Sequence, residues 1–172
     1  MANTDNPKGF WPVSSLDGSE PTVRIMTKLA AYGTAVGKYD PVVHAGTRNN
    51  IKRAAAATAT YGISLAYSAA TTLATHPVVL LTNQIICDAQ EDGTAGVDSE
   101  GYNCAFIVAA ASSTTGISQC EIDSSEVATT STLDLKLLQV GPYPDNDGAS
   151  ANARWLVTFN NVTLGQKTVG VA

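Results

Sequence analysis

The chain is 172 residues long, enough for one domain to bury a sizeable core without metals or disulfides. Only 15% of residues are charged, and Ala, Thr, Ser, Gly and Val abound, which excludes a Leu/Glu/Lys-rich helical bundle and favours short strands with small-residue turns. The net charge of −5 argues against nucleic acid as the main partner. The charge is also uneven: residues 1–86 hold seven Lys/Arg and four Asp/Glu, residues 87–172 three and eleven. In one packed domain that split fits either two oppositely charged faces, one suited to an acidic partner surface, or solvated charges that are simply unevenly spread.

Residues 1–20, "MANTDNPKGFWPVSSLDGSE", read as an extended N-terminal arm, and 21–172 as a β-rich domain. Pro7, Gly9, Pro12 and Gly18, with Pro21 just beyond, forbid a stable helix or a central strand. Phe10 and Trp11 sit among them, and two large aromatics on a free arm would lie in water unless the arm covers another surface. No basic segment followed by an apolar run marks a signal peptide here, so a reducing, intracellular site of synthesis is expected.

Alternation begins after the arm. Val23, Ile25, Thr27 and Leu29 share one face of a strand, with Arg24, Met26 and Lys28 on the other. From Ala54 to Cys87 no residue is charged, yet Thr and Ser interrupt every apolar run, so a membrane span is not expected. "PVVLL" (77–81) and "CAFIVAAA" (104–111) read as strands buried on both sides. Leu133, Leu135 and Leu137 oppose Asp134 and Lys136, and Trp155, Val157 and Phe159 oppose Arg154, Leu156 and Thr158. Period two with one wet face predicts antiparallel sheets. "QEDGTAG", "DSEG", "SSTTG" and "PDNDG" are the turns between them, and Asp123–Glu126 fits a single helical turn. The expected fold is all-β, an antiparallel sandwich or barrel with the extended arm.

Chemistry is sparse. Asp145-Asn146-Asp147-Gly148 has calcium-loop lettering, but EF-hand spacing would put Tyr143 at the first ligand position and Arg154 at the last, so the stretch is a corner and no metal is expected. His44 and His76 lack spaced partners. Gly116–Cys120 lacks the second glycine of a nucleophile elbow, and Glu91 and Asp92, being adjacent, diverge in a solvated turn. Cys87, Cys104 and Cys120 form no C-x-x-C pair, and Cys104 reads as a small core residue. Neither catalytic residues nor a cofactor are expected.

The segments "NPKGFWPVSSLDG" (6–18), "YDPV" (39–42), "IICDAQEDGT" (85–94), "STTGISQCEIDSS" (113–125) and "LKLLQVGPYPDNDGASANARWLVTFNN" (135–161), in this order, resemble capsid decoration (cement) proteins of tailed bacteriophages. The resemblance implies a non-enzymatic β protein made in the host cytoplasm. It would bind the outside of an icosahedral shell, contacting the major capsid protein, as a homo-oligomer with a trimer favoured over a dimer. The candidate contacts are then Phe10, Trp11 and Pro12 on the arm with Arg24 and Lys28 after it, and removal of residues 2–14 is expected to abolish shell binding while the β domain still folds. The alternative is a carbohydrate-binding or host-adhesion module displayed on the virion, with Trp155 as its candidate aromatic.

Overall fold

The computed structural model describes residues 3–29, 31–46 and 49–165. It is all-β, as the alternation predicts. Eleven strands are present among the described residues: β1 (Trp11–Ser15), β2 (Val23–Lys28), β3 (Pro41–His44), β4 (Asn50–Arg53), β5 (Gly62–Ser64), β6 (Thr75–Leu80), β7 (Ile85–Gln90), β8 (Asn103–Ile107), β9 (Glu121–Ala128), β10 (Leu135–Val140) and β11 (Arg154–Phe159). The only helical element among them is a 3-10 turn, Val97–Ser99. Asp123–Glu126, expected to make a helical turn, lies instead within β9, where Phe106 pairs with Ile122 and Ile107 with Glu121. Pairing across the strand edge outweighs the local capping signal.

Two sheets form. One is a six-stranded antiparallel sheet in the order β1-β7-β11-β10-β8-β9, and the other is a closed barrel in the order β2-β4-β3-β5-β6. The barrel departs from the purely antiparallel expectation, because β2 and β4 pair in parallel, Thr27 opposite Asn50. The division follows the charge split. Residues 21–82, which contain the barrel strands, carry six Lys/Arg and one Asp, whereas residues 83–165, which build the sheet apart from β1, carry two Lys/Arg and eleven Asp/Glu.

Strands β5 and β6 join the two sheets. Val78 packs with Met26, Val42, Ile51 and Tyr61 in the barrel's own core, while Ile63, Val79 and Leu81 belong to the main core beneath the six-stranded sheet. This is the two-sided burial expected for "PVVLL". The main core is centred on Phe106, Leu135, Leu137, Trp155, Val157 and Phe159.

The first correction concerns the N-terminal segment. Of the arm expected over residues 1–20, residues 1 and 2 lie outside the described residues and residues 3–20 are not separate from the domain, because β1 is an edge strand of the six-stranded sheet, Trp11 opposite Asp88 and Ser15 opposite Ile85. Pro12 is tolerated there because an edge strand has one side free of ladder bonds and the register shifts between Pro12 and Ser14. Residues ahead of β1 are stapled down as well: Gln90 Nε2 donates to Thr4 O at 2.7 Å, and Asn6 N donates to Gln90 Oε1 at 2.9 Å. Gly9 makes this entry feasible. Its φ is +69°, and a Cβ there would lie 2.4 Å from the Ser118 Cβ.

The second correction concerns β2. The face holding Met26 and Lys28 is the buried one, and Val23 and Ile25 on the other face are 50% and 63% exposed. A closed barrel takes one face of each strand inward, and here the side without the β-branched residues turned in. The main sheet covers β5 and β6, leaving the outer face of β2 open.

Candidate functional site

Two neighbouring features stand out: an apolar surface along residues 11–25 and a polar cleft beside it. Among the described residues nine large hydrophobic side chains are exposed, and five of them, Trp11, Val13, Leu16, Val23 and Ile25, fall within these fifteen positions. Scattered exposed hydrophobics are ordinary on a globular protein, but clustering of this kind marks contact surfaces.

The segment carrying this surface is held at both ends. β1 pairs with β7 in the sheet and β2 with β6 in the barrel, Val23 opposite Val79 and Ile25 opposite Pro77. The connection between them is pinned by Leu16 N donating to Gln84 O at 2.8 Å and by Asp17, whose Oδ1 accepts from Ser15 Oγ, Ser19 N and Ser19 Oγ at 2.6, 2.9 and 2.7 Å. The hydrogen bonds from Ser15 and Ser19 bring the Asp17 carboxyl down to about 2. The apolar row therefore crosses the junction of the two sheets on an ordered backbone.

The structure separates the five contact residues expected from the sequence. Phe10 is fully buried, packed edge-on against Phe106 at 5.6 Å and Phe159 at 5.0 Å between ring centroids, so it is a core residue. Lys28 is also buried, its Nζ donating to the carbonyls of Ala69 and Ala70 at 2.5 and 2.7 Å, and burial lowers its pKa. Neither can meet a partner. Trp11 is 47% exposed and lies flat on Tyr39, centroids 5.9 Å apart and rings 20° from parallel. Pro12 is half-buried beside it. Arg24 stays at the surface, donating to Asn49 Oδ1 at 2.6 Å and Tyr61 Oη at 3.2 Å. Phe10, just ahead of β1, and Trp11, its first residue, fall on opposite sides as successive residues of extended chain do, and alternation alone does not say which side is inside.

Trp155, the candidate glycan-binding aromatic, is fully buried and donates from Nε1 to Glu91 Oε2 at 3.1 Å. Glu91 is itself buried, contrary to the solvated turn expected for Glu91–Asp92. Burial raises its carboxyl pKa, against the hydrogen bonds from Ala95 N and Trp155.

His76, which has no spaced partner along the chain, gains two in the fold. Its Nδ1 lies 2.7 Å from Ser64 Oγ and its Nε2 2.9 Å from Ser68 Oγ, with all three side chains buried. Ser64 Oγ donates to Ala66 O at 2.9 Å, so it accepts from His76 Nδ1, and Nε2 accepts from the Ser68 hydroxyl. A serine hydroxyl on a histidine nitrogen is the first element of a nucleophile–base pair. Here both hydroxyls and the imidazole are buried away from solvent, and burial, with the Lys28 charge in the same direction, lowers the imidazole pKa. The spacing 64/68/76 has no recognisable pattern, because barrel closure alone brings these residues together.

The corner at Asp145–Gly148 is a corner, as its spacing indicates. Asn146 Nδ2 donates to Gly141 O and Arg154 O, and Asn3 Nδ2 donates to Asp147 O, Ser150 O and Ala151 O. Beside it opens a cleft of about 230 Å³ between the N-terminal segment and the ends of β7 and β11. Its wall carries an ion pair between Arg154 Nη2 and Asp88 Oδ2, with Tyr143 Oη donating to Asp88 Oδ2 at 2.8 Å and the Arg154 guanidinium lying 3.8 Å from the Tyr143 ring centroid. Asn6, Lys8, Trp11, Asp145 and Asn152 complete the lining used below. Among the described residues no group of three or more His, Cys, Asp or Glu is placed to hold a metal.

Compared with known proteins, the chain matches no family model, no curated protein and no solved structure.

Proposed function

We propose that this protein is a non-enzymatic structural component of a phage virion that binds the outer surface of the capsid and cements neighbouring capsomers. The observation that carries the proposal is the row Trp11, Val13, Leu16, Val23 and Ile25, exposed on a segment pinned to both sheets. The segment order of the chain resembles decoration proteins, and Arg24 and Lys52 on barrel strands with Lys38 just ahead of β3, all exposed, suit an acidic partner surface. Adhesion therefore rests on a preordered surface, with Trp11 and Arg24 kept as contacts and Phe10 and Lys28 removed from the set.

Magnitudes argue for an oligomer. Each of the five side chains is about half exposed, so covering it yields roughly 1 kcal/mol, about 5 kcal/mol in all. Association itself costs about 4–15 kcal/mol, so one patch alone binds weakly. Joining copies makes the later contacts intramolecular and raises avidity by roughly 10²–10⁴. A trimer is the form that the resemblance implies.

The test is sedimentation of Ile25→Asp and Val23→Asp proteins with shells of the major capsid protein. Both variants are expected to fold and to leave the shells unoccupied. Full occupancy by the folded variants would remove the patch from the mechanism.

A further inference from the structure

The cleft shares Trp11 with the apolar row, but its polar groups are not used by the shell-binding reading, and their chemistry points to a ligand of another class. Its volume of about 230 Å³ lies below the roughly 300–1,000 Å³ of pockets for drug-sized molecules, leaving room for about one sugar ring. Its charges balance: Lys8 and Arg154 face Asp88 and Asp145, and Arg154 is already paired with Asp88. A site for phosphate or another anion would carry surplus positive charge, and this one does not.

The groups left over are hydroxyl-binding groups. The side chains of Asn6, Lys8, Asp145 and Asn152 make no hydrogen bond with other described residues, so two amides, an ammonium and a carboxylate remain free in one small space. Amides both donate and accept, which suits hydroxyls that do the same. Trp11 adds the apolar platform against which the C–H face of a pyranose can lie.

The platform is preordered. Tyr39, on which Trp11 lies, has φ +72°, a left-handed conformation that is costly for a bulky residue. It is held there by Phe10 N donating to Tyr39 O at 3.0 Å and Tyr39 N donating to Ser64 O at 2.7 Å. Asn152 in the lining has φ +61° and donates from its N to Gly93 O at 2.8 Å. The costly backbone of Tyr39 beneath Trp11 is the kind of conformation found where a binding surface is held ready.

We propose that this cleft binds a neutral pyranose unit of a glycan. Trp11 lies against the ring, while Asn6, Asn152 and Asp145 take its hydroxyls. One ring binds weakly, and display in several copies on a particle raises the avidity.

Tryptophan emission reads the site directly, because Trp155 is buried and Trp11 alone meets solvent. The full chain is titrated with glucose, galactose, mannose and N-acetylglucosamine, and separately with inorganic phosphate. A saturable change with at least one sugar and none with phosphate is expected. Asn152→Gly, which keeps the positive φ, and Asp145→Ala then test the contacts. Either one raising Kd by about tenfold, the loss expected for one hydrogen bond to the ligand, supports the site. Ile25→Asp is expected to leave Kd unchanged, which separates this inference from shell binding. No saturation with any of the four sugars, saturation with phosphate alone, or an unchanged Kd in both cleft variants overturns it.

Discussion

Replacing Phe10 by alanine tests whether the N-terminal segment belongs to the domain. Phe10 is fully buried between Phe106 and Phe159, both edge-on to it, and Gly9 before it packs so close to Ser118 that a side chain there would clash. A buried Phe→Ala change costs about 3–5 kcal/mol through lost transfer energy and the cavity left behind, and two lost aromatic contacts favour the upper part of that range. For a chain of this length about 4 kcal/mol corresponds to a fall in Tm of roughly 8–16 °C. Urea unfolding followed by circular dichroism measures it, with Trp11→Ala as the neighbouring control at no more than about 1 kcal/mol. A loss below about 1 kcal/mol for Phe10→Ala would refute the reasoning, since a ring in water leaves no cavity. Removing residues 2–14 takes Phe10 out of the core and most of β1 off the sheet, so shell binding would be lost through unfolding, and point substitutions are the informative experiment.

Other outcomes follow from the same geometry. Ile25→Asp should lower urea stability by no more than about 1 kcal/mol, because the side chain is mostly exposed and the cost is chiefly the poorer strand propensity of Asp, while abolishing shell occupancy in sedimentation. Burial holds His76 neutral, below its ordinary pKa of 6.5, so the unfolded chain takes up a proton that the folded chain refuses. The His76 contribution to stability is therefore complete above pH 6.5 and lost as the pH falls below it. Glu121, raised by burial to about 6, acts in the opposite sense, contributing most at low pH and losing that contribution as the pH rises through about 6. The readout is thus the difference between the wild type and His76→Gln, whose stability should decline less steeply just below pH 6.5; parallel curves would place His76 in contact with water. The three cysteines are buried, with Cys120 pushed up to about 11 and Cys87 and Cys104 further. An aromatic disulfide reagent at mildly alkaline pH should titrate no thiol in the native protein and all three in urea, and rapid labelling of the native form would contradict the packing.

The amino-acid sequence by itself determined the class of fold, through period-two alternation and turn chemistry at short range. The strands around Leu135–Leu137 and Trp155–Phe159, the two-sided burial of "PVVLL", the core position of Cys104 and the corner at Asp145–Gly148 are all legible this way, because each depends on neighbours within a few residues. Whether Phe10 or Trp11 faces water depends on which face of β1 the rest of the sheet covers, and local pattern does not carry that. The same holds for β2, where barrel closure turned Met26 and Lys28 inward and left Val23 and Ile25 in solvent. The His76 cluster and the cleft beside Trp11 join residues from 8 to about 150 positions apart, and distance along the chain hides such groups until strand pairing closes the loops between them. The tertiary structure therefore decided which apolar residues are surface and which polar ones are core, since alternation specifies two faces while packing alone chooses the buried one.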